Sequence, residues 1–93
     1  MTTTLVLPVR VTHEDAAACA RMLAQAVRAQ AAPDAVADAS ALEQFDSSAL
    51  AVLLECRREA LALGKRFAVR GLPQRLRALA ALYGVEALLP QTV

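Results

Sequence analysis

The stretch Phe45-Asp46-Ser47-Ser48-Ala49-Leu50 constrains this chain more than any other. Asp46 and the two serines are residue types whose side chains accept the free N–H groups of a first helical turn, and an apolar run follows at once. A helix therefore starts here, after a short buried segment that ends near Phe45. On a helical wheel of Ser47 to Leu63, Ala49, Val52, Leu53, Cys56, Ala60 and Leu63 share one side, while Ser48, Ala51, Glu55, Arg58, Glu59 and Ala62 share the opposite one. Arg57 falls among Leu50, Leu54 and Leu61, so one flank is apolar with a charge set into it. A core seldom tolerates that combination, whereas a partner-facing surface uses it often. Arg57 snorkelling to water over a core edge is the alternative.

Punctuation before and after that helix divides the rest. Thr4 to Val11 alternates, with Leu5, Leu7, Val9 and Val11 on one side, which predicts a strand; Pro8 places it at a sheet edge. Thr12 and Asp15 have capping-box spacing, and His13 to about Gln30 reads as a helix with Cys19, Met22, Leu23, Ala26 and Val27 inward. Pro33-Asp34 breaks it, and Ala35 to Ala39 reads as a short strand ending beside Asp38. Gly64 ends the helix that Ser47 opens, Arg66 to Arg70 is a strand, and Gly71-Leu72-Pro73 leads into a last helix with Leu72, Leu76, Leu79, Ala80 and Tyr83 at helical spacing. Gly84 stops that helix, and Val85 to Leu89 is expected to cover one end of the core. Strands and helices in alternation, joined by short connections, give an α/β layer with right-handed crossovers. The expected fold is one domain over residues 1–93, a small mixed β-sheet of about four strands with three to four helices packed on it.

Composition sets the size of the core. Of the 93 residues 57% are hydrophobic, but many are alanine, which favours helix and buries little area per residue. Cys19 and Cys56 belong to no Cys-x-x-Cys pair and are expected as buried, reduced thiols. No run approaches the roughly 20 apolar residues of a membrane span, and Met1-Thr2-Thr3-Thr4-Leu5 lacks the basic start of a signal peptide, so a cytoplasmic location is expected.

Charge is close to balanced but uneven. Residues 57 to 77 hold seven basic side chains against Glu59 alone, and residues 1 to 56 carry three bases and seven acids. That separation suits an interaction face as well as it suits a solvated rim. Nucleic acid is a poor partner for it, because Phe45, Phe67 and Tyr83 are the only aromatics and single strands bind on aromatic platforms. Catalysis is not expected: the sequence has no Gly-rich phosphate loop, no Gly-x-Ser-x-Gly elbow and no metal-spaced set of ligands. The single histidine, His13, is expected as an exposed first-turn residue, and no metal or cofactor is implied.

The order of these pieces resembles the STAS domain family of sulfate transporters and anti-sigma-factor antagonists. The features that carry the resemblance are Asp38-Ala39-Ser40 at a strand end, Asp46-Ser47-Ser48-Ala49-Leu50 at a helix start, the strand over 66–70, and Leu82-Tyr83-Gly84-Val85 near the close of the last helix. It covers residues 34 to 90, with Ala49 where the family has glycine, and within the family it is similar to the MlaB-like subunits of lipid-asymmetry ABC transporters. The resemblance implies a non-enzymatic protein that binds the cytoplasmic ATPase subunit of a phospholipid transporter and reaches the inner membrane only through that complex. The alternative it leaves open is an anti-sigma-factor antagonist that binds an anti-sigma kinase and is switched by phosphate on serine. Ser47, Ser48, Asp46 and Asp38 are then the candidate phosphorylation or docking residues, and Leu50, Leu54, Arg57 and Leu61 the candidate partner-binding flank.

Overall fold

Pro8 decides how the chain begins. The computed structural model describes residues 1–92, and Val93, the last residue of the expected domain, lies outside them. In place of one strand over Thr4–Val11 there are two, β1 at Thr2–Val6 and β2 at Arg10–Val11. Proline has no amide hydrogen to give a ladder, so pairing stops and the chain bends. Leu5, Leu7 and Val11 enter the core as expected, whereas Val9, on the bent segment, is exposed.

The remaining elements follow the sequence punctuation. They are α1 (Ala16–Ala29), β3 (Asp34–Asp38), β4 (Gln44–Phe45), α2 (Ser48–Ala62), β5 (Arg66–Arg70), α3 (Gln74–Leu82), a 3-10 turn at Glu86–Leu88 and β6 (Gln91–Thr92). The first helix opens later than the capping box suggested. Thr12 and Asp15 do pair, the Asp15 carboxylate accepting from the Thr12 N–H (3.1 Å) and hydroxyl (3.0 Å), but they brace the turn that precedes the helix.

The main sheet has the order β1-β3-β5-β6, and β2 pairs with β4 in a second, two-stranded sheet. Every pairing among the described residues is parallel, so the expected mixed sheet is a parallel one. β1 does lie at the edge. Because the order β1-β3-β5-β6 only ever advances, and right-handed crossovers return each helix to the same side, α1, α2 and α3 all cover one face. Burial agrees: Leu5, Ala35, Ala37, Phe67 and Val69 point to the helices, and their strand neighbours Thr4, Val6, Val36 and Ala68 point away.

Alanine shapes the core. α1 buries Cys19, Leu23, Ala24 and Val27, and α2 buries Ala49, Leu50, Val52, Leu53, Cys56 and Ala60. Each buried leucine contributes about 1.5–3 kcal/mol from leaving water, and the alanines contribute mainly by taking little room. Burial pushes the Cys56 thiol up to about 12 and raises that of Cys19, so both are poor nucleophiles; both are free. Besides Val9, three side chains expected inside are not. Met22 (52% exposed) lies off the α1 stripe, Leu63 sits on the C-cap of α2, and Tyr83 (57% exposed) sits on the C-cap of α3. A wheel does not show that a helix has already ended.

Both later helices end on glycine in the left-handed region. After α2, Lys65 N–H donates to the Ala60 carbonyl (2.9 Å) and Gly64 N–H to that of Leu61 (3.0 Å), with Gly64 at φ 73°. After α3, Val85 and Gly84 repeat the pattern on Ala80 and Ala81. Val85 and Leu89 then pack on the core, as expected of that segment.

Candidate functional site

Parallel strands bring all their carboxyl ends to one edge, and the N-termini of the helices that follow them arrive there too. Open α/β sheets use this edge for binding. It holds two polar clusters.

The first is the start of α2. Asp46, not either serine, is its cap: Oδ1 accepts the Ser48 N–H at 2.8 Å, and the Asp46 carbonyl accepts from Ala49 at 3.1 Å. The same carboxylate reaches across to the turn before α1, where Oδ2 accepts the His13 N–H at 3.0 Å and lies 3.5 Å from His13 Nδ1. The Ser48 and His13 N–H bonds hold the Asp46 carboxyl below its ordinary 3.8, because both favour the charged form. Ser47 occupies the N-cap position with helical angles (φ −62°, ψ −16°) and forms no side-chain cap bond. Its side chain is exposed. Phe45 lies below, with the Arg75 guanidinium of α3 at 4.7 Å from the ring centroid, so the starts of α2 and α3 are tied together.

The second cluster closes β3 and β5. Asp38 Oδ1 accepts the Ser40 N–H (3.0 Å) and hydroxyl (2.5 Å), and Oδ2 accepts from Arg70 Nη2 at 3.1 Å. These bonds, the Ser40 hydroxyl's first, hold the Asp38 carboxyl down. Gly71, at φ 68°, lies so close that a Cβ there would sit 2.7 Å from Ser40 Cβ. Asp38 therefore shares the edge with Ser47, but its carboxylate is engaged with Ser40 and Arg70.

The flank expected to meet a partner is only partly at the surface. Leu50 is 3% exposed and belongs to the core, Leu54 packs partly against it, Arg57 is half-buried, and Leu61 is exposed. Arg57 makes no ion pair among the described residues. The uneven charge resolves differently: Arg66 pairs with Asp34 (2.6 Å), Arg70 with Asp38, Arg28 with Glu59 (2.7 Å) and Arg58 with Glu55. Arg66 and Arg70 thus neutralise acids of the first half across the fold, while Arg28–Glu59 joins the halves in the other sense and Arg58–Glu55 is local to α2. Sequence reasoning missed the roles of His13, Ser40, Arg70 and Arg75. Asp38-Ala39-Ser40 carried a local signal, since an aspartate two residues before serine favours this turn; the other contacts are long-range and left none.

Among the described residues no group of three His, Cys, Asp or Glu side chains is placed to hold a metal ion, and no helix is long and apolar enough to cross a membrane. The arrangement presents a free hydroxyl on a helix start that other residues hold in shape.

The family model described as MlaB, STAS domain, matches residues 2–90. The chain belongs to the MlaB-like STAS family. The match takes in the N-terminal strand and first helix, beyond the 34–90 over which the motifs alone are similar. Solved structures agree on the fold. The unphosphorylated anti-sigma factor antagonist SpoIIAA superposes with a TM-score of 0.75 at 17% identity, covering 99% of this chain and 80% of that one. A putative anti-sigma factor antagonist from Thermotoga maritima gives 0.77 at 14% identity, covering 96% and 78%. The phosphorylated form of SpoIIAA, the Bacillus cell fate determinant, gives 0.69 at 17%, covering 99% and 83%. No curated protein matches the chain. The STAS fold thus accounts for all three helices and for the four-stranded sheet.

Proposed function

We propose that this STAS domain is a non-enzymatic subunit that binds the cytoplasmic ATPase of a phospholipid ABC transporter and supports its assembly or activity in maintaining outer-membrane lipid asymmetry. The observation that carries the reading is the match to the MlaB model over residues 2–90. In this reading the docking surface is the first turn of α2, with Ser47 beside Ser48 and Asp46, continued along the helix by Leu54, Arg57 and Leu61, and the exposure of Ser47 and Leu61 supports it. Leu50 acts from beneath, holding that turn on the core. Asp38 stiffens the neighbouring edge through Ser40 and Arg70. The domain works in the cytoplasm and meets the inner membrane only through its complex.

A second reading has its own support. Similar solved structures include anti-sigma factor antagonists, one of them in a phosphorylated form, and the Ser47 hydroxyl is free to accept phosphate at the positive end of α2. In that reading the partner is an anti-sigma kinase. Co-purification from the native host separates the two. Recovery of an ATPase with a permease and a lipid-binding subunit supports transport; recovery of an anti-sigma kinase contradicts it and supports the switch.

A further inference from the structure

A parallel sheet is normally covered on both faces. Here the strand order sends every helix to one side, and the other side carries Thr2, Thr4 and Val6 of β1, Asp34, Val36 and Asp38 of β3, and Arg66, Ala68 and Arg70 of β5. Val6 is 60% exposed there. Charge stands at the two ends of this face and small apolar groups at its middle, the layout of an interface with a polar rim.

We infer that the open face of the sheet binds a second copy of the same face, related by a two-fold axis that runs parallel to the strands between β3 and β5. The register dictates this choice. Asp34 is opposite Arg66, Val36 opposite Ala68, and Asp38 opposite Arg70. Rotation about an axis along the strands sets β3 of one copy over β5 of the other, at the same level. Each Asp34 then faces an Arg66, each Asp38 faces an Arg70, and Val36 meets Ala68. Rotation about an axis across the strands would instead put Asp34 over Asp38 and Arg66 over Arg70, which like charge forbids. The face is self-complementary in one orientation only.

Area sets the strength. Three strands of five residues and the two residues of β6, about 4.8 Å apart and rising about 3.3 Å per residue, offer about 270 Å² per copy. A standard interface takes about 800 Å² from each partner. The dimer is accordingly weak, formed at about 100 μM and dispersed at about 1 μM, and a complex that holds two copies near one another would favour it. The contact takes in Asp38 and Arg70 of the carboxyl-end edge, while Ser47, on the helix side of the sheet, lies outside it.

Sedimentation equilibrium from about 1 to 500 μM reads it. The mass should rise from 9.8 kDa toward twice that value across the range, and Val36→Lys should remain at the monomer mass with an unchanged circular dichroism spectrum. A chain with Asp34→Arg and Arg66→Asp keeps that internal pair, leaves Asp38 on Ser40 and Arg70, and should dimerise with itself but not with wild type, since mixing sets like charges opposite. Wild type that is monomeric at 500 μM overturns the proposal, as does a dimer that survives Val36→Lys. Free mixing of swapped and wild-type chains overturns the two-fold arrangement.

Discussion

At the edge where the parallel strands finish, order is kept by side chains: Asp46 ties the start of α2 to the turn before α1, Arg75 ties α3 to Phe45, and Asp38 ties β3 to β5. At the opposite edge, where the strands begin and the helices end, Gly64 and Gly84 turn the chain through backbone bonds, and the side-chain ties, Lys65 Nζ on the Gln30 carbonyl and Arg66 on Asp34, hold strand starts and no helix start. The difference teaches where change can act. A side-chain edge can be rewired by one substitution or modification without moving the backbone, while a backbone edge resists substitution and signals little.

That contrast can be broken most forcefully at Gly71, the place on the side-chain edge where backbone conformation also matters. Gly71→Val combines a left-handed φ with a 2.7 Å approach to Ser40 Cβ. It should cost about 3 kcal/mol in a denaturant melt, the sum of a left-handed penalty and overpacking. At the opposite edge, Gly84→Ala meets nothing within 4 Å and should cost about 1 kcal/mol from φ alone. An equal cost for the two would mean that Ser40 moves aside freely.

Asp46→Ala tests the wiring itself. It removes the acceptor of the Ser48 and His13 N–H groups, and should lower Tm by roughly 5 °C and raise amide exchange at both sites. Acid should do the same more gradually. Asp46, Asp38 and Asp15 are all held below 3.8 in the folded protein, Asp15 chiefly by the Thr12 N–H. A carboxyl depressed by folding adds stability that is complete above its unfolded value and is lost as pH falls through the folded one. Melts should therefore be level from about pH 7 to 5 and fall below about pH 4, less steeply for Asp46→Ala. A profile that stays level down to about pH 3 would contradict that wiring.

Much of the carboxyl edge was legible because its signals are local, short polar residues before an apolar run and Asp-x-Ser at a strand end, and at the opposite edge so were the glycines that close α2 and α3. β3, α2, β5 and α3 stand within a residue or two of where those signals place them. The two-residue strands β2, β4 and β6 carry no period of their own and exist only because a longer strand or a bend offers them a partner. The sequence left the identity of the cap open for a related reason. Three adjacent residues, Asp46, Ser47 and Ser48, can each cap, and the choice fell to Asp46 because it alone also satisfies the His13 N–H from a distant turn. The burial of Leu50 has the same origin, since the core closes over a flank that looks open on an isolated helix.

The central claim is that Ser47 is free of the fold and available to a partner. Ser47→Ala should change stability by less than about 0.5 kcal/mol, because the hydroxyl forms no cap bond. Ser47→Glu puts a carboxylate at the positive end of α2, which the helix tolerates, and adds bulk and charge at the docking surface beside Asp46. A pull-down of Ser47→Glu with the ATPase subunit, paired with a thermal melt, separates fold from function. The account predicts a wild-type Tm with binding reduced tenfold or more; wild-type binding, or a collapsed melt, would contradict it.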